Sequence, residues 1–521
     1  MKIFCFSPFG YEGSLVTVEV DLRRGIPAVD IVGLADSAVK ESRERMRSAI
    51  RNCGFDFPPE RVLISLSPAD LKKEGAGFDL AVALAVLYES LKEKEAFSSS
   101  IDSILIMGEL ELNGRVRSVK GIHAAVNTAK SAGINLCIVP EENKNEALET
   151  GGIKVFGAEN LMQAFDALKN AELFTNAKKS SALEEELPEG AVNVNGINFP
   201  AEQKEYEYYD VKNQGRLIRG LEIAATGGHN LLAFGPPGCG KTLSLQKFPA
   251  LVPLLSPSQS QSVTRIYSVA GLLAPNSGTI RTRPFRMPHQ TATVEGMCGG
   301  GTRCGPGEIS LAHNGTLFLD EAAEFRSSVL QMLRVPLETG TITLSRAGRS
   351  TTFPAQFQLL MSTNPCPCGN FGSKEKICLC SARSIEQYWK KFSAPLLDRI
   401  DIRIQVENSG DKSGSAKSTS KLREEISKGI IFQQKRQCRQ NAKLQPEEIA
   451  AYCTLTPEAQ SFFNTEIEKH DFSPRAVSGC LKLGRTIADL NEKELIGKDE
   501  IQEAISLRSS NENINLISGI L

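Results

Sequence analysis

The chain has 521 residues, more than one compact core accommodates, which points to about three domains. Lysine plus arginine (60) nearly balance aspartate plus glutamate (61), so no global basic field announces nucleic acid, and any contact with it must come from local patches. No apolar run reaches the roughly 18–20 residues of a membrane span, and Met1-Lys2-Ile3-Phe4-Cys5 lacks the anatomy of an export signal. The 13 cysteines read as reduced, cytoplasmic thiols, some of them open to metal.

Residues 1–170 mix short apolar strands with helices: 16–20 and 62–67 have strand character, while 79–88 and 122–132 carry helical spacing. Periodicity fails over 171–198, around the acidic run Glu184-Glu185-Glu186, and 171–204 reads as a linker. From 205 to 407 strands and helices alternate, which predicts a parallel α/β sheet. The Gly/Ser/Lys-rich stretch 408–420 predicts a second flexible link, and 421–510 predicts a helical domain. The tail 511–521 carries no pattern, and no internal repeat is visible.

The central segment holds the chemistry. Asn230-Leu231-Leu232-Ala233-Phe234 has the pattern of a buried strand. Gly235-Pro236-Pro237-Gly238-Cys239-Gly240-Lys241-Thr242 follows, and then a helical run. This is the phosphate-binding loop G-x-x-x-x-G-K-T in its strand–loop–helix setting. Glycines let backbone N–H groups close around phosphate oxygens at a positive helix end. Lys241 is then expected at the β- and γ-phosphates of ATP and Thr242 on Mg²⁺.

A second apolar strand, Thr316-Leu317-Phe318-Leu319, ends in Asp320-Glu321. Asp320 is placed to hold Mg²⁺ through water, and Glu321 to orient or deprotonate the attacking water. A third strand over 357–363 ends in Asn364, a side chain able to fix that water. Arg399 in Pro395-Leu396-Leu397-Asp398-Arg399-Ile400-Asp401, and Arg475 in the helix start Ser473-Pro474-Arg475, read equally as surface charges or as nucleotide sensors in a ring.

Cys366-Pro367-Cys368 and Cys378-Leu379-Cys380 put four thiols in one short loop. Four thiolates close a tetrahedral Zn²⁺ site, and structural zinc is favoured here over a cluster of free thiols. Lys374 and Lys376 sit at the tip of that loop, within reach of a phosphate backbone. Cys298 and Cys304 form a weaker pair that does not make a site.

GPPGCGKT, LFLDEAAEF, LLMSTNPCPCG, PLLDRID and SPRA, in this order, resemble the magnesium-chelatase branch of AAA+ ATPases, and within it the ComM/YifB type. RPFRMPHQT at 283–291, GGGTRCGPGEISLAH at 299–313 and GRTIADL at 484–490 extend the resemblance over nearly the whole chain. It implies an α/β chain with three parts. These are a Lon-protease-like α+β domain (1–170), an AAA+ parallel-sheet core (205–407) and a helical lid (421–510).

By the same resemblance the protein is a homo-hexamer with ATP sites between subunits. Arg399 is its arginine finger, Asn364 its first sensor and Arg475 its second. An insertion around 297–307 and a hairpin over 340–353 face a central pore, which makes Arg303, Arg346 and Arg349 candidates for DNA-phosphate contacts. The Lon-like part reads Lys73-Glu74-Gly75-Ala76-Gly77-Phe78-Asp79 where a nucleophilic serine is expected, and Lys120 stands near the expected base. A base without a nucleophile does no proteolysis. The function implied is a cytoplasmic DNA helicase or translocase, acting on single-stranded or branched DNA and driving branch migration in recombination or natural transformation. A protein-remodelling ATPase working on a protein partner, like the chelatase motor, is the alternative.

Overall fold

The computed structural model describes residues 1–69, 71–73, 75–176, 187–211, 214–274, 277–301, 304–346, 349–372, 376–407 and 417–508. Glu184-Glu185-Glu186, Arg303, Lys374 and most of the link at 408–420 lie outside these residues.

The N-terminal part is an eight-stranded mixed sheet with helices. Its elements are β1 (Lys2–Phe9), β2 (Glu12–Arg23), β3 (Val29–Val32), α1 (Ser37–Asn52), β4 (Arg61–Ser67), α2 (Asp79–Leu91), β5 (Ser103–Ile106), α3 (Ile122–Ser131), β6 (Leu136–Pro140), β7 (Lys154–Ala158), α4 (Leu161–Lys169) and β8 (Thr175–Asn176). Strand order is β8-β7-β6-β5-β1-β2-β4-β3. Helix α2 is apolar nearly all round, and residues 79–87 are all buried, as a central core helix requires. The one charge in that run, Asp79, is paired: Arg45 donates to it at 2.7 and 3.1 Å. That pairing is what a fully buried carboxylate needs.

The expected linker is shorter than its loss of periodicity suggested. Thr175–Asn176 adds an antiparallel edge strand to the first sheet, and Val192–Val194 pairs with Ile197–Phe199 as a small hairpin. Phe199 of that hairpin is fully buried in the core of the second sheet. Strands of two or three residues are too short to show a period.

The second part contains α5 (Gly215–Gly227), β9 (Leu231–Phe234), α6 (Lys241–Gln246), α7 (Pro257–Ala270), β10 (Phe285–Arg286), β11 (Thr316–Leu319), α8 (Ser327–Met332), α9 (Arg334–Thr339), β12 (Thr341–Arg346), β13 (Arg349–Pro354), β14 (Gln358–Thr363), α10 (Ala382–Lys390) and β15 (Ile402–Gln405). Five strands form one parallel sheet in the order β10-β11-β14-β9-β15. Leu231 and Ala233 of β9 enter one core, and Leu232 and Phe234 the other. Burial on both faces explains why this strand reads as a continuous apolar run rather than an alternation.

The C-terminal part is helical: α11 (Thr419–Arg436), α12 (Pro457–His470), α13 (Pro474–Leu490) and α14 (Lys498–Arg508). Ser473 caps α13 by accepting from the Ala476 N–H at 3.2 Å, with Pro474 in the first turn. The motif at 484–490 is structural. Asp489 is fully buried and accepts from Arg436 at 2.7 and 2.8 Å, from Arg485 at 3.1 Å and from Asn441 at 2.7 Å.

The first sheet docks on the second part through the β1–β2 turn. The Tyr11 N–H donates to Thr351 Oγ1 at 3.1 Å, and the Tyr11 ring meets Phe353 edge-on at 5.8 Å. Arg265 of α7 lies over that ring at 4.3 Å and donates to the Tyr11 carbonyl at 3.1 Å. Further along, Ser268 of α7 donates to the Glu146 carboxylate. Lys120 packs against Gly271 at the end of the same helix.

Candidate active site

The strand ends of the parallel sheet gather the predicted residues. The loop after β9 turns twice through glycines with φ of +81°, Gly238 and Gly240, a conformation side chains resist. Its lysine is buried: the Lys241 ammonium donates to the Gly235 carbonyl at 2.7 Å and the Pro236 carbonyl at 2.8 Å. Burial holds its pKa below the usual lysine value. A cation so placed gains when phosphate oxygens replace those carbonyls.

Thr242 Oγ1 donates to Asp320 Oδ1 at 2.9 Å, so the hydroxyl and the carboxylate that a Mg²⁺ ion needs already face each other across the loop. Thr242 and Asp320 fit as the residues that would hold the ion, which would supply charge neutralisation on the phosphates. Ser362 of β14 also donates to Asp320 Oδ1 and accepts from the Glu321 N–H at 3.2 Å. Glu321 is exposed, and its backbone is left-handed at φ +48°. Gln290, in the segment after β10, donates to its carboxylate. Asn364 follows β14 directly.

Ser362 and Gln290 had not been singled out. Ser362 stands inside LLMSTN and Gln290 inside RPFRMPHQT, so the signal was their place in those motifs. Neither carried chemistry by spacing alone.

Arg399 and Arg475 converge elsewhere. Both donate to Glu338 on α9, Arg475 at 3.3 Å. The Arg399 hydrogen bond holds the Glu338 carboxyl below its ordinary pKa. Asn230 donates to the Arg399 carbonyl at 2.8 Å, and Arg508 of α14 donates to the Asp398 carbonyl at 3.3 Å, fixing the loop that presents the arginine. His229 bridges Asp401 at 2.9 Å and Thr486 of α13 at 2.7 Å, tying the helical part to the sheet. Among the described hydrogen bonds and ion pairs, none joins Arg399 or Arg475 to residues 235–242 of the same chain.

The four cysteines come together. The Cys366, Cys368, Cys378 and Cys380 sulfurs lie within 4.8 Å of one another, with separations of 3.4, 3.7 and 3.6 Å among the first three. Four thiolates on Zn²⁺ at about 2.3 Å stand about 3.8 Å apart, so the set fits that ion. The Asn370 backbone N–H pulls the Cys368 thiol down to about 6. Gly369, in this loop, sits so close to Pro237 that a Cβ would meet its ring at 2.8 Å. The loop therefore rests on the phosphate-binding loop.

The two elements expected from the resemblance to face a pore are described in part. Gly299–Gly300 pairs with Gly305–Pro306 in the expected insertion, and β12–β13 forms the expected hairpin with Arg346 opposite Arg349. Arg346 is exposed. Arg349, expected on open surface, is half-buried with its guanidinium 3.7 Å over the Phe9 ring of the N-terminal part. The hairpin docks there, which its own sequence could not reveal.

Three family descriptions match: subunit ChlI of Mg-chelatase at 18–143, magnesium chelatase subunit ChlI at 207–413, and its C-terminal part at 416–508. The uncharacterized protein YifB of Escherichia coli is 36% identical over 507 residues, covering 96% of this chain and 95% of that one. The chain belongs to the magnesium-chelatase family of AAA+ ATPases. Competence protein ComM of Haemophilus influenzae is 35% identical over 516 residues, 97% of each chain. A Lon protease of Chloroherpeton thalassium is 30% identical over 159 residues, 28% of this chain and 18% of that one. The mixed α/β architecture with a helical C-terminal part agrees with that family. No helix among the described residues is long and apolar enough to cross a membrane.

Proposed function

We propose that this family member is a Mg²⁺-dependent ATP hydrolase that assembles as a homo-hexameric ring and translocates on DNA in the cytoplasm, promoting branch migration. The observation that carries the DNA reading is the arginine pair at the hairpin end. Arg346 and Arg349 stand directly opposite across β12 and β13. Like charges so placed are unfavourable unless something offsets them. Phe9 offsets one, and a phosphate backbone is the natural partner for the other. The similarity to a protein named for competence supports the same direction.

The ring reading rests on Arg399 and Arg475. An ATP site needs cationic groups at the γ-phosphate beyond its lysine, and these two are held on Glu338. We assign both to a neighbour's site, with Lys241, Thr242, Asp320, Glu321 and Asn364 acting within one chain. Zn²⁺ in the four-cysteine loop would be structural, holding the segment after Asn364 against Pro237.

The test is ATP turnover with and without single-stranded, duplex and branched DNA. Stimulation by DNA, strongest on branched substrates, is expected. A DNA-independent rate, together with stimulation by a purified protein partner, would replace this reading with protein remodelling.

A further inference from the structure

Four large apolar side chains are left in water on either side of the proposed subunit contact. Ile377 and Leu379 in the four-cysteine loop are 83% and 90% exposed. Their pattern is a simple alternation: Cys378 and Cys380 turn inward and pack on the core, while Ile377 and Leu379 turn outward. The convergence of four sulfurs fixes that direction, so the apolar tip cannot fold back to bury itself. On the other side, Val335 of α9 and Met332 of α8 are 61% and 41% exposed. Val335 lies one helical turn before Glu338, on the face that carries Arg399 and Arg475.

We propose that Ile377 and Leu379 are a knob that seats against Met332 and Val335 of a second copy of this chain. This rests on the reading that Arg399 and Arg475 act on a neighbour. If they do, the α8–α9 face must arrive at the opening of the phosphate-binding loop. The four-cysteine loop borders that opening, because Gly369 rests on Pro237. The most exposed large apolar side chains of that bordering loop are Ile377 and Leu379 at its tip. Knob and seat are different patches, so the contact is head-to-tail, the kind that closes a ring. Burial of these apolar side chains favours association, and the arginines add alignment and chemistry.

The test uses the full-length zinc-loaded protein with Ile377→Asp and Leu379→Asp together. Zinc content by elemental analysis and binding of an ATP analogue to dilute subunits should stay at wild-type levels, since both side chains stand exposed to solvent. The protein concentration giving half-maximal ATP turnover, and the assembly midpoint in analytical ultracentrifugation, should rise roughly ten- to a hundred-fold. A charge swap guards against a general defect: Leu379→Asp and Val335→Lys should each weaken assembly, and the pair should recover it.

Unchanged assembly of the double aspartate variant overturns the knob. So does lost DNA stimulation with intact assembly, which would give the tip to DNA. Mixed rings of Lys241→Ala and Arg399→Ala subunits separate the two readings. If they recover activity while the aspartate variant assembles normally, the knob alone falls. If proven mixed rings stay inactive, the neighbour assignment falls and takes the knob with it.

Discussion

Gln290 offers the sharpest perturbation of Glu321, the residue proposed to activate water, without altering it. Its amide donates to the exposed Glu321 carboxylate. A carboxylate oxygen engaged this way has one fewer lone pair for water and is turned toward the segment after β10. A hydrogen bond to an exposed charged acceptor is worth about 1 kcal/mol net, or about fivefold in how often the carboxylate is free. Gln290→Ala should therefore raise basal ATP turnover about fivefold and shrink DNA stimulation by a similar factor, if DNA works by releasing the same contact. The Michaelis constant for ATP should hold, because no described contact joins Gln290 to the phosphate-binding loop. The assay is steady-state phosphate release across ATP concentration, with and without DNA. A fall in basal turnover would mean that Gln290 aims Glu321 at water rather than withholding it. An unchanged rate in both conditions would mean that the contact carries no control.

An equimolar random mixture of Lys241→Ala and Arg399→Ala subunits should show about a quarter of wild-type ATP turnover. Each interface takes its lysine from one subunit and its arginine from the next, so one combination in four is intact. Zinc should copurify at about one equivalent per chain, and Cys378→Ser with Cys380→Ser should release it, slowing turnover more than it weakens nucleotide binding. Elemental analysis finding no metal in protein purified without chelator would refute that. Asp489→Ala should destabilise the helical part by about 3–5 kcal/mol in denaturant unfolding, because the fully buried Arg485 and the half-buried Arg436 would lose their carboxylate. Arg346→Gln should weaken DNA binding at all sequences and reduce its salt slope by about one unit while sparing basal turnover; an unchanged slope would remove the hairpin from the DNA path.

Much of the candidate nucleotide site was legible because the pattern that points to it is local. Residues 235–242 need glycines at fixed positions, and Asp320-Glu321 and Asn364 sit where buried strands stop, which apolar runs announce. The four cysteines were legible as a cluster for the same reason. What the sequence withheld was long-range pairing. Glu338 is one exposed glutamate among many, and only the fold brings Arg399 and Arg475 to it from either side of the 408–420 link. Arg349 looked free because Phe9 is 340 positions away. Ser362 sits beside Asp320 only because β14 and β11 are neighbours in the sheet. The linker was overdrawn because strands of two or three residues give no period to detect.

These long-range contacts connect the N-terminal part to the ATP site in series. Tyr11 holds Thr351 on β13, and only residues 355–357 separate that strand from β14. Those residues are not slack. The Ala355 N–H donates to Gly340 at 2.7 Å, the Gln358 N–H donates to Gly315 at 2.9 Å, and Ala355 and Phe357 are buried. A shift of the hairpin would have to break these contacts or carry β14 with it. At the far end of β14, Ser362 holds both Asp320 and the Glu321 backbone. One strand thus connects the hairpin held by the β1–β2 turn to the carboxylates proposed to act on ATP. If the hairpin grips DNA as proposed, the N-terminal part sets the resting position of the gripping element through Tyr11 and Phe9.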